Sequence, residues 1–393
     1  MPAHEDREVG LRIAVARRLA RMTQQELADS SAVSYGTVRA VERGARVPSD
    51  EVLEELGAAL GVDPSRLRGG QGASDSRIRS ILPAVSATIA AYDAPSDGSV
   101  RSEGELRAAV TEMVTWRLGS QYLRVAREAP SLLAELLRAL HGAGGQERRE
   151  HARLLTNALR SADAVAYKTG QLDLSARLIE LMRWASAFAE DPLLDASVAY
   201  VRGEVFLAAR AHEAGLRVLE AAIDRAPAPH DAPATAARGA LHMRAAVVAG
   251  RAGDPEGADV HLAEARRLGD PLPEDIYGGT AFGSSSVRIH EVSVAVALGG
   301  QHLSRALDIA AEWSPPLDLP AERRSSFYIE LGRAQLWSGL RDDAFESLKV
   351  ARRTAPQHTR DHRWVREDIA TLRRLKRGHC EELSNFAEWC HAI

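Results

Sequence analysis

Residues 22–46, MTQQELADSSAVSYGTVRAVERGAR, decide how the N-terminal part of the chain folds. Thr23-Gln24-Gln25-Glu26 has the form of a capping box, in which a threonine hydroxyl and a glutamate carboxylate satisfy each other's backbone N–H groups. Leu27 and Ala28 supply an apolar stripe before Asp29-Ser30-Ser31 breaks the helix. Ser34 starts a second helix, Val38 and Val41 follow at helical spacing, and Gly44 ends it. The result is two short helices around a tight turn, the second presenting a polar, arginine-bearing face.

That arrangement matches a helix-turn-helix, and its residues resemble the phage-repressor-type (Xre-like) DNA-binding domain over about Leu11 to Leu67. The match rests on Thr23-Gln24, Glu26-Leu27-Ala28 and the closing Val41-Glu42-Arg43-Gly44. The resemblance implies that Gln24, with Gln25 beside it, approaches a phosphate from a helix N-terminus. It puts Ser34, Tyr35, Thr37 and Arg39 on the major-groove face, and Arg43 and Arg46 near flanking phosphates. It also implies a structural ion pair between Arg17 and Glu42. Gly36 departs from the pattern by leaving a base-reading position without a side chain. Two amphipathic helices of a larger bundle would share the apolar stripe, but they would not need both caps, this turn length and the closing glycine.

Outward from this motif, a helix over about Glu8 to Arg21 turns Leu11, Ile13 or Ala14, Val15 and Leu19 inward. Pro48-Ser49-Asp50 opens a fourth helix with Val52, Leu53, Leu56 and Leu60 facing in, and Val62-Asp63-Pro64 starts a short fifth ending near Leu67. A five-helix domain over residues 1–68 follows. Residues 69–75, GGQGASD, read as a flexible linker.

At 393 residues the chain has room for two to three domains, and 45% hydrophobic residues suffice for real cores. No apolar run approaches membrane-spanning length. The acidic start MPAHEDREVG lacks a signal-peptide core, so a cytoplasmic protein is expected. The net charge of −4 does not advertise a nucleic-acid partner, and residues 1–69 hold 10 Arg against 11 Asp and Glu. The arginines are unevenly placed, however: Arg39, Arg43 and Arg46 cluster at the second motif helix. DNA binding would rest on this local patch, with few phosphate contacts and a moderate salt slope.

From Ser76 to Ile393 the sequence reads as helix-length segments broken by Gly, Pro and Asp, with almost no period-2 alternation. Expected helices cover Arg77–Tyr92 (bent at Pro83), Glu103–Glu128, Pro130–Leu140, Arg149–Thr169 and a segment from Leu172 to about Glu190. A repeat then emerges. Gly203, Phe206, Gly215, Leu219, Ala222 and Pro227 share a frame with Tyr328, Leu331, Gly332, Ala344, Leu348, Ala351 and Pro356. Gly239–Pro271 and Val287–Pro316 are looser copies. The offsets resemble the tetratricopeptide repeat, and generic helical hairpins share the same physics. Either way the expected fold is all-α, with the helix-turn-helix domain followed by an α-solenoid over 76–393 that serves sensing and dimerisation.

The layout resembles actinobacterial regulators that join an Xre-like head to a tetratricopeptide body. It is also similar, less closely, to peptide-sensing receptors of Gram-positive quorum systems, which hold peptide backbones with helix-borne asparagines. Only Asn157 and Asn385 are present in this chain, which argues against the same clamp.

Candidate ligand residues are Asn157, Phe282, Ser284 and His290. The serine-rich stretch Thr280–Ser286 precedes a helix beginning near Val287, and a helix start offers free N–H groups to an anion; an ordinary N-cap after a long loop is the plainer reading. Trp184, Tyr200, Phe206, Tyr277 and Phe282 either line a pocket or fill inter-helix core. His379-Cys380 and Cys390-His391 offer a zinc ligand set at unusual spacing, and a terminal helix with ordinary cysteines reads more simply. No metal site or cofactor is assigned. Residues 352–377 carry nine Lys or Arg against three acids, a solvated face or a second DNA contact. No phosphate-binding loop, metalloprotease motif, nucleophile elbow or dinucleotide fingerprint is present, so no enzyme is expected.

The sequence therefore points to a DNA-binding transcriptional regulator, a homodimer on an inverted repeat, modulated by a small molecule or peptide held in the solenoid. The rival is a DNA-anchored scaffold whose solenoid binds a protein partner.

Overall fold

A computed structural model describes all residues except 1–4, 21, 61–66, 68–72, 376–380, 391 and 393. It is all-α apart from one small hairpin. The chain divides into two compact units, residues 1–80 with 376–393, and residues 81–375.

In the first unit, α1 (Glu5–Leu19), α2 (Gln24–Ser30), α3 (Tyr35–Glu42) and α4 (Asp50–Leu60) enclose a core of Ile13, Leu27, Val33, Val38, Val41, Leu53 and Leu56, with Leu67 joining it. The caps form as the sequence dictates. Thr23 Oγ1 accepts from the Glu26 N–H at 3.1 Å, and the Glu26 carboxylate accepts from the Thr23 N–H at 2.6 Å, which holds the Glu26 carboxyl below its ordinary range. Ser34 Oγ accepts from the Thr37 N–H. Helix α3 ends in a Schellman turn: Gly44 N–H bonds Val41 O, Ala45 N–H bonds Ala40 O, and Gly44 has φ +67°. Contrary to expectation, Leu11 faces solvent, while Ile13 and Ala14 face in. Residues 62–66 of the fifth short helix and residues 69–72 of the expected linker lie outside the described residues. Ala73–Asp75 already belong to α5 (Ala73–Ala90), which contains Pro83.

The division also differs from a boundary at 68/76. Residues 376–393 group with the N-terminal unit, where α20 (Glu381–Trp389) buries Leu383, Phe386 and Ala387. Cys390 is buried; the other three residues of the suspected zinc set lie outside the described residues.

The second unit is a run of antiparallel helix pairs. These are α6 (Glu103–Leu118) with α7 (Tyr122–Gly142), α8 (Gly145–Lys168) with α9 (Leu172–Ser186), and α10 (Pro192–Ala208) with α11 (His212–Arg225). Then come α12 (Ala232–Ala252) with α13 (Pro255–Gly269), α14 (Ser284–Leu298) with α15 (Leu303–Glu312), and α16 (Ala321–Trp337) with α17 (Arg341–Thr354). Helices α18 (Pro356–Asp361) and α19 (Arg363–Leu375) close it. This is the expected solenoid, and one local device recurs along it. At the turn of five pairs a residue takes positive φ: Ser120, Gly170, Arg210, Gly253 and Gly339. In each case the next N–H reaches a carbonyl five residues back, as in Gln171 to Ala166 and Asp254 to Ala249. The left-handed residue satisfies the free carbonyls of the first helix and reverses the chain in a few residues.

One expected boundary moves. The break after α6 lies at Gly119-Ser120, and Pro130 sits inside α7. The proline removes one helical N–H, but the burial of Val125, Ala126, Ala129, Leu132 and Leu133 around it holds the helix together. A feature absent from the sequence reading lies between α13 and α14. Strands β1 (Asp275–Tyr277) and β2 (Thr280–Phe282) pair antiparallel around Gly278-Gly279. Both glycines have positive φ, as a two-residue turn of this hand requires. Phe282 is fully buried and anchors the hairpin against α12 where Gly239 makes room: a Cβ there would lie 1.9 Å from the Phe282 ring.

Candidate functional site

On the head, α3 presents two opposed faces. Val38 and Val41 are buried, while Ser34, Tyr35 and Arg39 are exposed and Thr37 is half-buried. Arg43 and Arg46 stand exposed just beyond. The Arg43 Nε donates to Arg39 O at 3.2 Å, and Arg46 Nη1 donates to Thr37 Oγ1 at 3.4 Å. These weak surface bonds hold the cations along the polar face without neutralising them. At Gly36 an added Cβ would meet nothing within 4 Å, so the face is open there.

The two glutamines have partners of their own. Gln25 donates to Asp29 Oδ1 at 2.9 Å, and Gln24 Nε2 donates to Glu42 Oε2 at 2.7 Å. Gln24 thereby joins the Arg17–Glu42 pair, which ties α1 and the start of α2 to the end of α3. Arg17 Nη1 adds a bond to Met22 O at 2.8 Å. The geometry sets the tilt of α3 with three polar side chains that sit beneath the exposed face.

In the body, the four candidate ligand residues do not converge. Asn157 donates to Arg153 O one turn back, and Phe282 is core. Ser284 lines a cleft of about 310 Å³ together with Arg266, Arg288 and Trp313. The start of α14 is already occupied: Glu274 accepts from Ser286 N at 3.0 Å and from Ser286 Oγ at 2.5 Å. Gly283 allows that approach, since a Cβ there would lie 2.6 Å from the Glu274 carboxylate. His290 faces elsewhere. Its Nδ1 meets Ser286 O at 2.8 Å, and burial, aided by Arg323, lowers its pKa to about 3. The aromatic set is also dispersed. Trp184 packs against Tyr92 and Phe188, whereas Tyr200 is buried among charges.

Those charges form a site the sequence reading missed. Arg117 on α6 and Arg160 on α8 are both more than nine-tenths buried. Arg117 Nη2 donates to Gly279 O at 2.9 Å. Arg160 donates to Gly278 O and to Ser197 Oγ, each at 2.7 Å, and to Thr280 Oγ1 at 2.5 Å. Beside them, Arg323 on α16 donates to the Tyr200 hydroxyl at 3.1 Å, and the Arg244 guanidinium lies 4.1 Å from the centre of the Tyr200 ring. Arg244 also pairs with Glu204 at 3.3 Å, and Lys168 pairs with Glu322 at 3.0 Å. Side chains from helices far apart in sequence thus meet in one buried cluster of the second unit.

Electrostatics within this cluster lean positive. Burial pulls Arg160 down to about 9, with Arg117 adding to the effect. Burial would raise Tyr200, yet the two guanidiniums bring it down to about 8. Asp163 goes up, first because it is buried and then because Glu204 lies near; Ser175 Oγ donates to it at 2.6 Å. Among the described residues the buried Nε of Arg117 and of Arg244 have no hydrogen-bond partner. The sequence did carry one trace of this site: Arg160 and Asp163 interrupt an otherwise apolar helix face, and Arg244 sits in an alanine-rich one.

Among the described residues no helix is long and apolar enough to cross a membrane, and no group of three or more acidic, His or Cys side chains is arranged to hold a metal ion. The helix-turn-helix family model matches residues 13–67. No curated protein matches the chain. Among solved structures, the chain is similar to Bacillus thuringiensis PlcR in complex with the peptide PapR7 and DNA, at 16% identity over 67% of this chain and 94% of that one, with a TM-score of 0.30.

Proposed function

We propose that the protein is a sequence-specific DNA-binding transcriptional regulator and not an enzyme, working as a homodimer on an inverted repeat. The observation that carries this reading is the exposed polar face of α3, Ser34, Tyr35 and Arg39 with Arg43 and Arg46 alongside, held on a buried apolar face inside a helix-turn-helix. A recognition helix in the major groove reads bases with such side chains while neighbouring arginines hold phosphates. Two heads would read half-sites about 34 Å apart, one turn of the duplex. The solenoid binds a small-molecule or peptide effector, which alters DNA affinity by favouring one arrangement of the heads over another.

The test is selection of bound fragments from random DNA by the full-length protein across a salt series. An enriched inverted repeat with half-sites near one helical turn supports the reading. Binding without sequence preference at every salt concentration overturns it.

A further inference from the structure

We propose that Arg117 and Arg160, backed by Arg244 and Arg323, form a binding site for the carboxylate or phosphate of a ligand, and that the Gly278-Gly279 hairpin tip is a neutral internal occupant which the anion displaces. The proposal rests on the reading of the solenoid as an effector-binding body and names the chemistry it would recognise.

A buried guanidinium without a counter-ion is expensive, and proteins normally pair it with a carboxylate. Here five cations, Arg117, Arg160, Arg244, Arg323 and Lys168, share one interior with Glu204, Glu322 and Asp163. Glu204 is held by Arg244 and Glu322 by Lys168, and Asp163 faces Ser175. Among the described residues neither Arg117 nor Arg160 has a carboxylate within ion-pair distance.

What they hold instead is main chain. Two carbonyls and one hydroxyl of the tip accept their bonds, and a Cβ on Gly279 would lie 3.1 Å from both guanidiniums. The tip thus sits between two planar donors arranged to receive an oxyanion, while Arg117 Nε stays unused. A carboxylate or phosphate would make charge-assisted bonds with the same donors, which are roughly twice as strong as those to neutral acceptors. The hairpin is short, with two strands of three residues each; Thr280–Phe282 are buried while Asp275–Tyr277 are exposed or half-buried, so displacement moves the Gly278-Gly279 tip and its bonds to Arg117, Arg160 and Ser197.

The experiment uses the full-length protein with pyrophosphate, with citrate, and with chloride at matched ionic strength. Readouts are the melting temperature and amide exchange across residues 275–282. The expected result is a rise of several degrees with pyrophosphate or citrate, together with at least tenfold faster exchange at Ile276–Ala281. Which of the two acts distinguishes a phosphate from a carboxylate ligand. The response should vanish in Arg160→Gln. Thr280→Val, which removes one acceptor from the tip, should bind the same anion several-fold more tightly, an effect that mere loss of stability does not produce. If Arg160→Gln fails to fold, Thr280→Val decides. No response to either anion, a response unchanged by Arg160→Gln, or weaker or equal binding in Thr280→Val overturns the proposal. Anion binding that leaves DNA affinity unchanged would refute the effector reading and leave the site standing.

Discussion

Arg17 and Glu42 meet through two parallel bonds, Nε to Oε1 at 2.7 Å and Nη2 to Oε2 at 2.9 Å, with 11% and 5% of their side chains exposed. The pair links α1 to the last residue of α3, and Gln24 adds a third bond to the same carboxylate. Glu42→Gln should destabilise the head by about 3–5 kcal/mol, because it strands the guanidinium and disturbs both donors. Arg17→Met combined with Glu42→Leu should recover most of that loss, since apolar replacement of a buried pair is often neutral. Thermal unfolding of the two variants checks this; equal losses would mean the pair contributes more than the charge it neutralises.

Two glycines of the head predict opposite outcomes for the same substitution. A Cβ on Gly10 would lie 2.1 Å from Val41 O, backbone against backbone where α1 crosses α3, whereas a Cβ on Gly36 meets nothing. Gly10→Ala should cost about 1–3 kcal/mol through forced separation of the helices. Gly36→Ala should stabilise by up to about 1 kcal/mol through reduced chain entropy in a helix. Melting curves of the two variants read the signs directly.

The head was legible in the sequence because its determinants are local. Thr23, Glu26, Ser34 and Gly44 act on backbone groups within a few residues, and the Val38–Val41 stripe needs only helical spacing. The solenoid pairs were legible for the same reason, through Gly203 and Gly215 or Gly332 and Ala344 at close helix crossings. The hairpin was not. Its three-residue strands are too short for alternation to register, although Gly278-Gly279 between Tyr277 and Thr280 carried the turn signal. The buried arginine cluster was further out of reach. Arg160 meets Gly278 and Thr280, and Tyr200 meets Arg323, more than a hundred residues apart in each case. Such encounters are set by how the helix pairs stack, not by any spacing along the chain.

The proposed reading assigns base readout to Arg39 and phosphate contact to Arg43, both of which are exposed. Arg39→Ala should weaken binding to the selected operator by about 1–3 kcal/mol at one base position and leave non-specific binding nearly unchanged. Arg43→Ala should weaken both alike and reduce the salt slope by about 1. Titrations of operator and scrambled duplexes at two or more salt concentrations separate the roles, and equal losses on both duplexes would make Arg39 a phosphate contact.

The buried cluster predicts a pH dependence with two opposing limbs. Asp163 has a folded pKa raised by burial and by Glu204, with Arg160 and Arg117 only partly offsetting this. Between the unfolded value near 4 and that raised value, the folded chain keeps a proton the unfolded chain has lost, so this group's contribution falls as pH rises. Asp163→Asn keeps an acceptor for Ser175 and removes the titration. Its gain in melting temperature over the parent should be clear at pH 8 and fade towards pH 4. His290 works in the other direction. It stays neutral when folded, with a pKa of about 3, but is protonated in the unfolded chain below about 6.5, so stability is lost as pH falls through that value. Each such proton is worth about 1.4 kcal/mol per pH unit, and His358 and His362, also lowered by burial, add to the same limb. His290→Gln should therefore flatten the acid side of the melting-temperature profile while Asp163→Asn flattens the alkaline side. An Asp163→Asn gain that is the same at pH 4 and pH 8 would show that the carboxyl is ionised in the folded protein.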